Sequence, residues 1–188
     1  MPKIEAETVQ AHRDQVRQRI FEAFAELMDE RGFDAISMAQ IASRAGIGRT
    51  AIYHHFRDKE AVVVAFASYE TDNYLAALRA DLEAAADPVE KIRVYLRHQL
   101  RAGQQFHTGM GGILYHLLSD AATKEIHDHV AAVEEVLEEI LDEGIASGDF
   151  RISDRRTAMS LLHAALTTRQ LPLPAVEEFV LRGLGHMT

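Results

Sequence analysis

An all-α fold, with a small helical head followed by a larger helical body, is predicted by three features of this 188-residue chain. Apolar residues recur at three- and four-residue spacings along most of its length. The punctuation is that of helices, with Ser, Asp and Pro at starts and Gly at stops. No stretch carries the alternating pattern of a half-buried strand.

Each element follows from these signals. From about Val9 to Arg31, Val16, Ile20, Phe24, Leu27 and Met28 share one face of a helix, and Gly32 follows in the C′ position. Ser37 and Gln40 form a capping box, with Ile36 and Ile41 at the two positions of a hydrophobic staple. Residues 37–45 then make a short helix, 46–48 a turn, and Arg49–Phe56 a second short helix. Asp58 caps a helix that begins at Lys59 and runs toward Ala85. Asp87, Pro88 and Glu90 restart the chain as a helix reaching about Gln105. HTGMGG at 107–112 breaks the pattern, and a short helical piece follows it. A long helix over about 122–147 turns Ile126, Val130, Val133, Val136, Leu137, Ile140 and Leu141 inward, with an acidic outer face. Ser153 caps the next helix, which ends near Gln170; LPLP forces a turn, and Ala175–Leu184 is the last helix. The total is about nine helices, with residues 1–58 expected as the head and 59–188 as the body.

Composition narrows the chemistry. There is no cysteine, which removes disulfides, zinc-thiolate sites and cysteine nucleophiles. No apolar run approaches the ~18 residues of a membrane span, and the first fifteen residues lack the apolar core of a signal peptide. A cytoplasmic protein without membrane contact is therefore expected. The net charge of −9 is unevenly spread. Residues 10–60 hold eight Lys and Arg against eight Asp and Glu, whereas 61–188 hold eleven against nineteen, a net of −8. A neutral head on an acidic body fits a partner of negative charge at the head alone, bound by locally placed cations.

Ser37–Phe56 reads SMAQIASRAGIGRTAIYHHF. Met38, Ile41, Ala42, Ile47, Ile52 and Phe56 form a small inward set, Gly46 supplies the left-handed turn residue, and Arg49, Thr50, Tyr53 and His54 have no inward role. That is the layout of a helix-turn-helix, whose second helix enters the DNA major groove. Two packed helices of an ordinary bundle would not need so polar an outer face.

The stretch 13–62, most diagnostically AGIGRTAIYHHFRDKEAV, resembles the N-terminal domain of TetR-family transcriptional regulators over about fifty residues without a gap. The resemblance implies a homodimer with a variable all-helical C-terminal domain that binds a small-molecule effector and alters binding to an operator. It places Thr50 and Tyr53 among contacts to bases or phosphates, and His54 and Lys59 among contacts to the phosphate backbone. The helix N-terminus at Lys59 would add its own N–H groups. Arg49 has the reach for a guanine edge. Ser37, Gln40 and Arg44 complete the DNA-contacting candidates. Phe56 also reads as core, and Tyr53 as either contact or structure.

Other chemistry is thinner. Gly46, Gly48 and Ala51 satisfy G-x-G-x-x-A but follow a helix rather than a strand, so no dinucleotide cradle is expected. No nucleophile–base arrangement or carboxylate cluster at metal spacing is evident, so neither an enzyme nor a cofactor is expected. A helical-bundle enzyme is the remote alternative. Among the ten histidines, His127 and His129 point to different faces, and a metal-sensing regulator would need His98, His107, His116 and His163 to converge. In the body, His98, Arg101 and Gln105 follow one another at helical spacing, and Tyr69, Phe106, Met110, Tyr115, His116 and His163 are candidate pocket walls. Ordinary core and solvated positions are the competing reading. Met159, Leu162, Leu166, Val176, Phe179, Val180 and Leu184 form a closing apolar stripe. It either completes the core or, as the resemblance implies, meets a two-fold mate, placing two heads ~34–36 Å apart on a palindromic site. The expected function is a homodimeric repressor released from its operator by a small-molecule inducer, with an activator or a ligand-independent regulator as the alternatives.

Overall fold

The computed structural model describes residues 2–106, 118–166 and 171–186, with side chains outside 2–8, 103–106 and 130. Seven α-helices occur among them: α1 (Pro2–Arg31), α2 (Met38–Arg44), α3 (Lys59–Glu83), α4 (Pro88–Phe106), α5 (Asp120–Ser147), α6 (Arg155–Leu166) and α7 (Leu173–Gly183). Two short 3-10 segments, Phe33–Ala35 and Ala51–His54, lie between α1 and α3, and no described residue is in a strand. The chain divides into two compact units, Met1–Ser68 with His107–Ile126, and Tyr69–Phe106 with His127–Thr188.

The first unit is held by one apolar cluster. Ile20 and Phe24 of α1, Ile41 of α2 and Ile52 of the second 3-10 segment are fully buried, as are Val62 and Val63 at the start of α3. Aromatic rings tie these elements together. Phe21 lies 5.8 Å from Phe56 and 5.9 Å from Phe66, and Phe24 meets Phe66 edge-on at 5.4 Å. Burying these rings removes the largest apolar areas of the head from water, so they dominate its cohesion.

In the second unit Leu78, Ile92, Leu96, Leu137 and Leu141 are the innermost layer. Tyr95 is fully buried among them, its hydroxyl accepting from Gln99 Nε2 at 3.0 Å. That bond satisfies the one polar atom the phenol brings into the core. A Cβ on Gly144 would stand 2.0 Å from the Phe150 ring, so the missing side chain is what lets the ring close the end of α5. No helix among the described residues is long and apolar enough to cross a membrane.

Several boundaries differ from those read in the sequence. α1 starts at Pro2 rather than Val9. The cap of α6 is Asp154, not Ser153, since Asp154 Oδ1 accepts from Arg156 N at 3.1 Å and its carbonyl from Ala158 N at 3.1 Å. A carboxylate one residue nearer the first turn outcompetes the serine for those N–H groups. Residues 107–117 and 167–170, including the glycine break and the piece after it, lie outside the described residues. Phe179, part of the closing apolar stripe, is 67% exposed, and Leu161 beside it 64%. Both border an apolar groove on α6 and α7 with Ala165 and Gly183.

Candidate nucleic-acid interface

The local sequence builds the interface residue by residue. Ser37 Oγ accepts from the Gln40 N–H at 3.4 Å, and Gln40 Oε1 accepts from the Ser37 N–H at 2.8 Å, so the capping box starts α2 as read. At the other end Gly46, at φ 66°, allows Ile47 N to reach the Ala42 carbonyl at 3.0 Å and Gly46 N that of Ser43 at 3.2 Å. These paired bonds are a Schellman ending, which aims the chain into the next segment.

That next segment is less regular than a helix from Arg49 to Phe56. Only Ala51–His54 is a 3-10 turn. Its hydrogen bonds mix spacings, with Ala51 N and Ile52 N sharing the Gly48 carbonyl at 2.9 and 3.3 Å, and Phe56 N reaching Ile52 O at 2.9 Å. Thr50 makes no side-chain cap. Two turns beginning on a glycine and lacking a cap do not sustain a regular ladder. Ile52 and Phe56 nevertheless anchor the turn from inside. Arg49, Thr50, Tyr53 and His54 consequently stand on the outside, Tyr53 at 50% exposure.

Four candidates make contacts that hold this surface. Ser37 and Gln40 are spent on each other. Arg44 donates through Nη1 to Glu26 and Glu30, both at 2.9 Å, and through Nη2 to Glu30 at 3.0 Å. The hydrogen bond with Arg44 holds the Glu30 carboxyl below the usual range, and the pairing raises the guanidinium further above its own. Lys59 is turned inward as well. Its ammonium donates to the carbonyls of Phe33 at 2.7 Å and Ile36 at 2.9 Å and sits 4.0 Å from the Phe33 ring centroid. Burial lowers its pKa, partly opposed by Asp34. Two of its three N–H donors are thereby committed to the backbone.

The sequence reading left out a group that the fold brings around His55. Burial, then the charges of Arg13, Arg17, His54 and His12, hold the His55 imidazole below its ordinary pKa. The Arg17 guanidinium stacks 5.3 Å from the Phe56 ring centroid and 5.8 Å from that of Phe21. The available signal was the four-residue spacing Arg13, Arg17, Phe21, which puts two cations on the stripe that leads into the core.

The candidate effector residues are only partly described. His98 pairs with Asp81, Nε2 to Oδ2 at 2.7 Å, and meets Tyr74 edge-on at 5.9 Å. Arg101 is exposed, and Tyr69 and His163 are half-buried. No hydrogen bond or ring contact joins His98 to Arg101 or His163 among the described residues. His98 therefore fastens α4 to α3 through a carboxylate. The side chains of Gln105 and Phe106, and all of Met110, Tyr115 and His116, lie outside the described residues, as does His107. No group of three or more His, Asp or Glu among the described residues is arranged to hold a metal ion.

Two stretches of the chain match known protein families. Residues 20–66 match the bacterial regulatory proteins of the tetR family, and residues 88–178 match the tetracyclin repressor-like C-terminal domain. The transcriptional activator FasR of Mycolicibacterium smegmatis is 31% identical over 81 residues, 43% of this chain and 37% of its own length. The transcriptional repressor KstR2 of Mycobacterium tuberculosis is 27% identical over 140 residues, 72% of this chain and 69% of its own. The chain thus spans about a third of one curated relative and about two thirds of the other. FadR from Bacillus subtilis, solved with stearoyl-CoA, shares the fold at a TM-score of 0.74 and 20% identity, over 89% of this chain and 96% of that one. With one family's two regions matched in order along it, the chain belongs to the tetR family of bacterial regulatory proteins.

Proposed function

We propose that this chain is a DNA-binding transcriptional regulator that seats the turn around Arg49–His54 in the major groove of an operator. The observation that carries the reading is the placement of Arg49, Thr50, Tyr53 and His54 on the outside of a turn locked from within by Ile52 and Phe56. A rigid backbone with hydrogen-bonding side chains on its outer face suits direct readout. The remaining Lys59 donor and the first N–H groups of α3 add a backbone phosphate contact beside it.

The finer reading is a cytoplasmic homodimeric repressor on a palindromic operator, with residues 1–58 as head and 59–188 as effector-binding and dimerisation body. The exposed apolar groove of α6 and α7 supports self-association, because side chains such as Leu161 and Phe179 gain most by leaving water together. A small-molecule effector releases DNA only through unequal affinity for the two arrangements of the dimer. Stearoyl-CoA is a first probe, since the fold neighbour FadR was solved with it.

The test is a gel shift on duplexes enriched by the protein from a random-sequence pool. Tyr53→Ala should lose specific retention while the protein keeps its oligomeric state. Failure of the wild type to enrich any sequence, or undiminished retention by the variant, overturns the reading.

A further inference from the structure

We propose that Arg13 and Arg17 of α1, together with His54, form a clamp for the phosphate backbone of duplex DNA, next to the turn that reads bases. The proposal rests on the DNA-binding reading and adds a second contact surface, on a different helix.

Arg13 and Arg17 stand four residues apart, so both lie on the stripe of α1 that continues into Phe21. Phe21 packs on Phe56, the inner anchor of the turn. The Arg17 guanidinium lies over both rings, at 5.3 Å from Phe56 and 5.8 Å from Phe21. This stacking holds a planar cation against the Phe56 ring and limits the entropy it loses on meeting a phosphate. Arg13, one turn earlier, is exposed.

Neither Arg13 nor Arg17 meets a carboxylate in an ion pair among the described residues. After burial, the charges that hold the His55 pKa down come from Arg13, Arg17, His54 and His12. The carboxylates nearby are engaged elsewhere. Asp14 accepts from Gln10 at 2.9 Å and Glu22 from Gln18 at 3.1 Å, while Glu26 and Glu30 hold Arg44 and Asp58 pairs with Arg57. In a chain of net charge −9, two arginines without an ion pair are a place for an external anion. A duplex presents one charge per ~1.7 Å of axis, and one seated on Tyr53 and His54 brings its backbone alongside. These contacts position the head without reading sequence.

The experiment measures affinity against salt, from about 50 to 200 mM, on an enriched duplex and on an unrelated one. Two lost phosphate contacts lower the slope of log K against log salt by about 1.8, at ~0.9 each, so wild-type binding falls roughly tenfold more over that range than binding by Arg13→Gln/Arg17→Gln. Both duplexes should lose affinity equally, leaving their ratio unchanged. Arg13→Gln alone, at an exposed position away from the core, should lower the slope by about half as much and covers the case in which the double variant folds poorly. Wild-type slopes in variants that still bind DNA overturn the clamp but leave the regulator standing. No DNA binding by wild type overturns both.

Discussion

Arg44 and Glu30 are joined as a fork, Nη1 to Oε1 at 2.9 Å and Nη2 to Oε2 at 3.0 Å, linking the last turn of α2 to the last turn of α1. Both of its nitrogens face protein carboxylates, Glu26 included. A cation so neutralised releases no DNA counterion. Arg44→Gln should therefore leave the salt slope of DNA binding at its wild-type value while lowering affinity through a less rigid α2. A slope reduced by ~0.9 would instead make Arg44 a phosphate contact.

Lys59 closes the loop between α1 and α2 by donating to Phe33 and Ile36. Lys59→Met keeps much of the stem and leaves two part-buried carbonyls without their charged donor. The expected cost is about 1–3 kcal/mol, read as a lower urea midpoint at an unchanged slope.

His55 couples the head to pH. Its Nδ1 is buried with no hydrogen-bond partner among the described residues, and burial holds the folded pKa below the ordinary 6.5. The unfolded chain then takes up the proton first, so stability is full above about 6.5 and is lost as pH falls toward the folded value. Wild-type Tm should drop between about pH 7.5 and 5.5 more than that of His55→Gln. Parallel Tm curves for the two proteins count against this linkage.

Phe179 tests the body. At 67% exposure its ring contributes little to the monomer's own core. Phe179→Asp should leave the unfolding midpoint of the isolated chain nearly unchanged but convert a dimer to a monomer in light scattering. A dimer that survives the charge places the mate elsewhere.

Much of the head was legible because its signals are local. The Ser37–Gln40 box, the Gly46 ending of α2 and the Asp58 cap on Ala61 at 2.8 Å all lie within a few residues of their partners. The same holds for the inward spacing of Ile20, Phe24, Ile41 and Ile52, all of which are buried. The body was harder. His98 and Arg101 share a helical stretch, yet His98 turns to Asp81, seventeen residues away.

By itself, then, the sequence determined the all-helical class, the order of the elements and the outward set Arg49, Thr50, Tyr53 and His54, since caps and periodicity act over one or two turns. Only the tertiary structure decided which cations remain available. Arg44 meets Glu30 across fourteen residues and Lys59 reaches Phe33 across twenty-six, while Arg17 comes to rest on Phe56. A charge is neutralised by whatever packs within a few ångströms of it, and the packing of helices, not spacing along the chain, sets that neighbour.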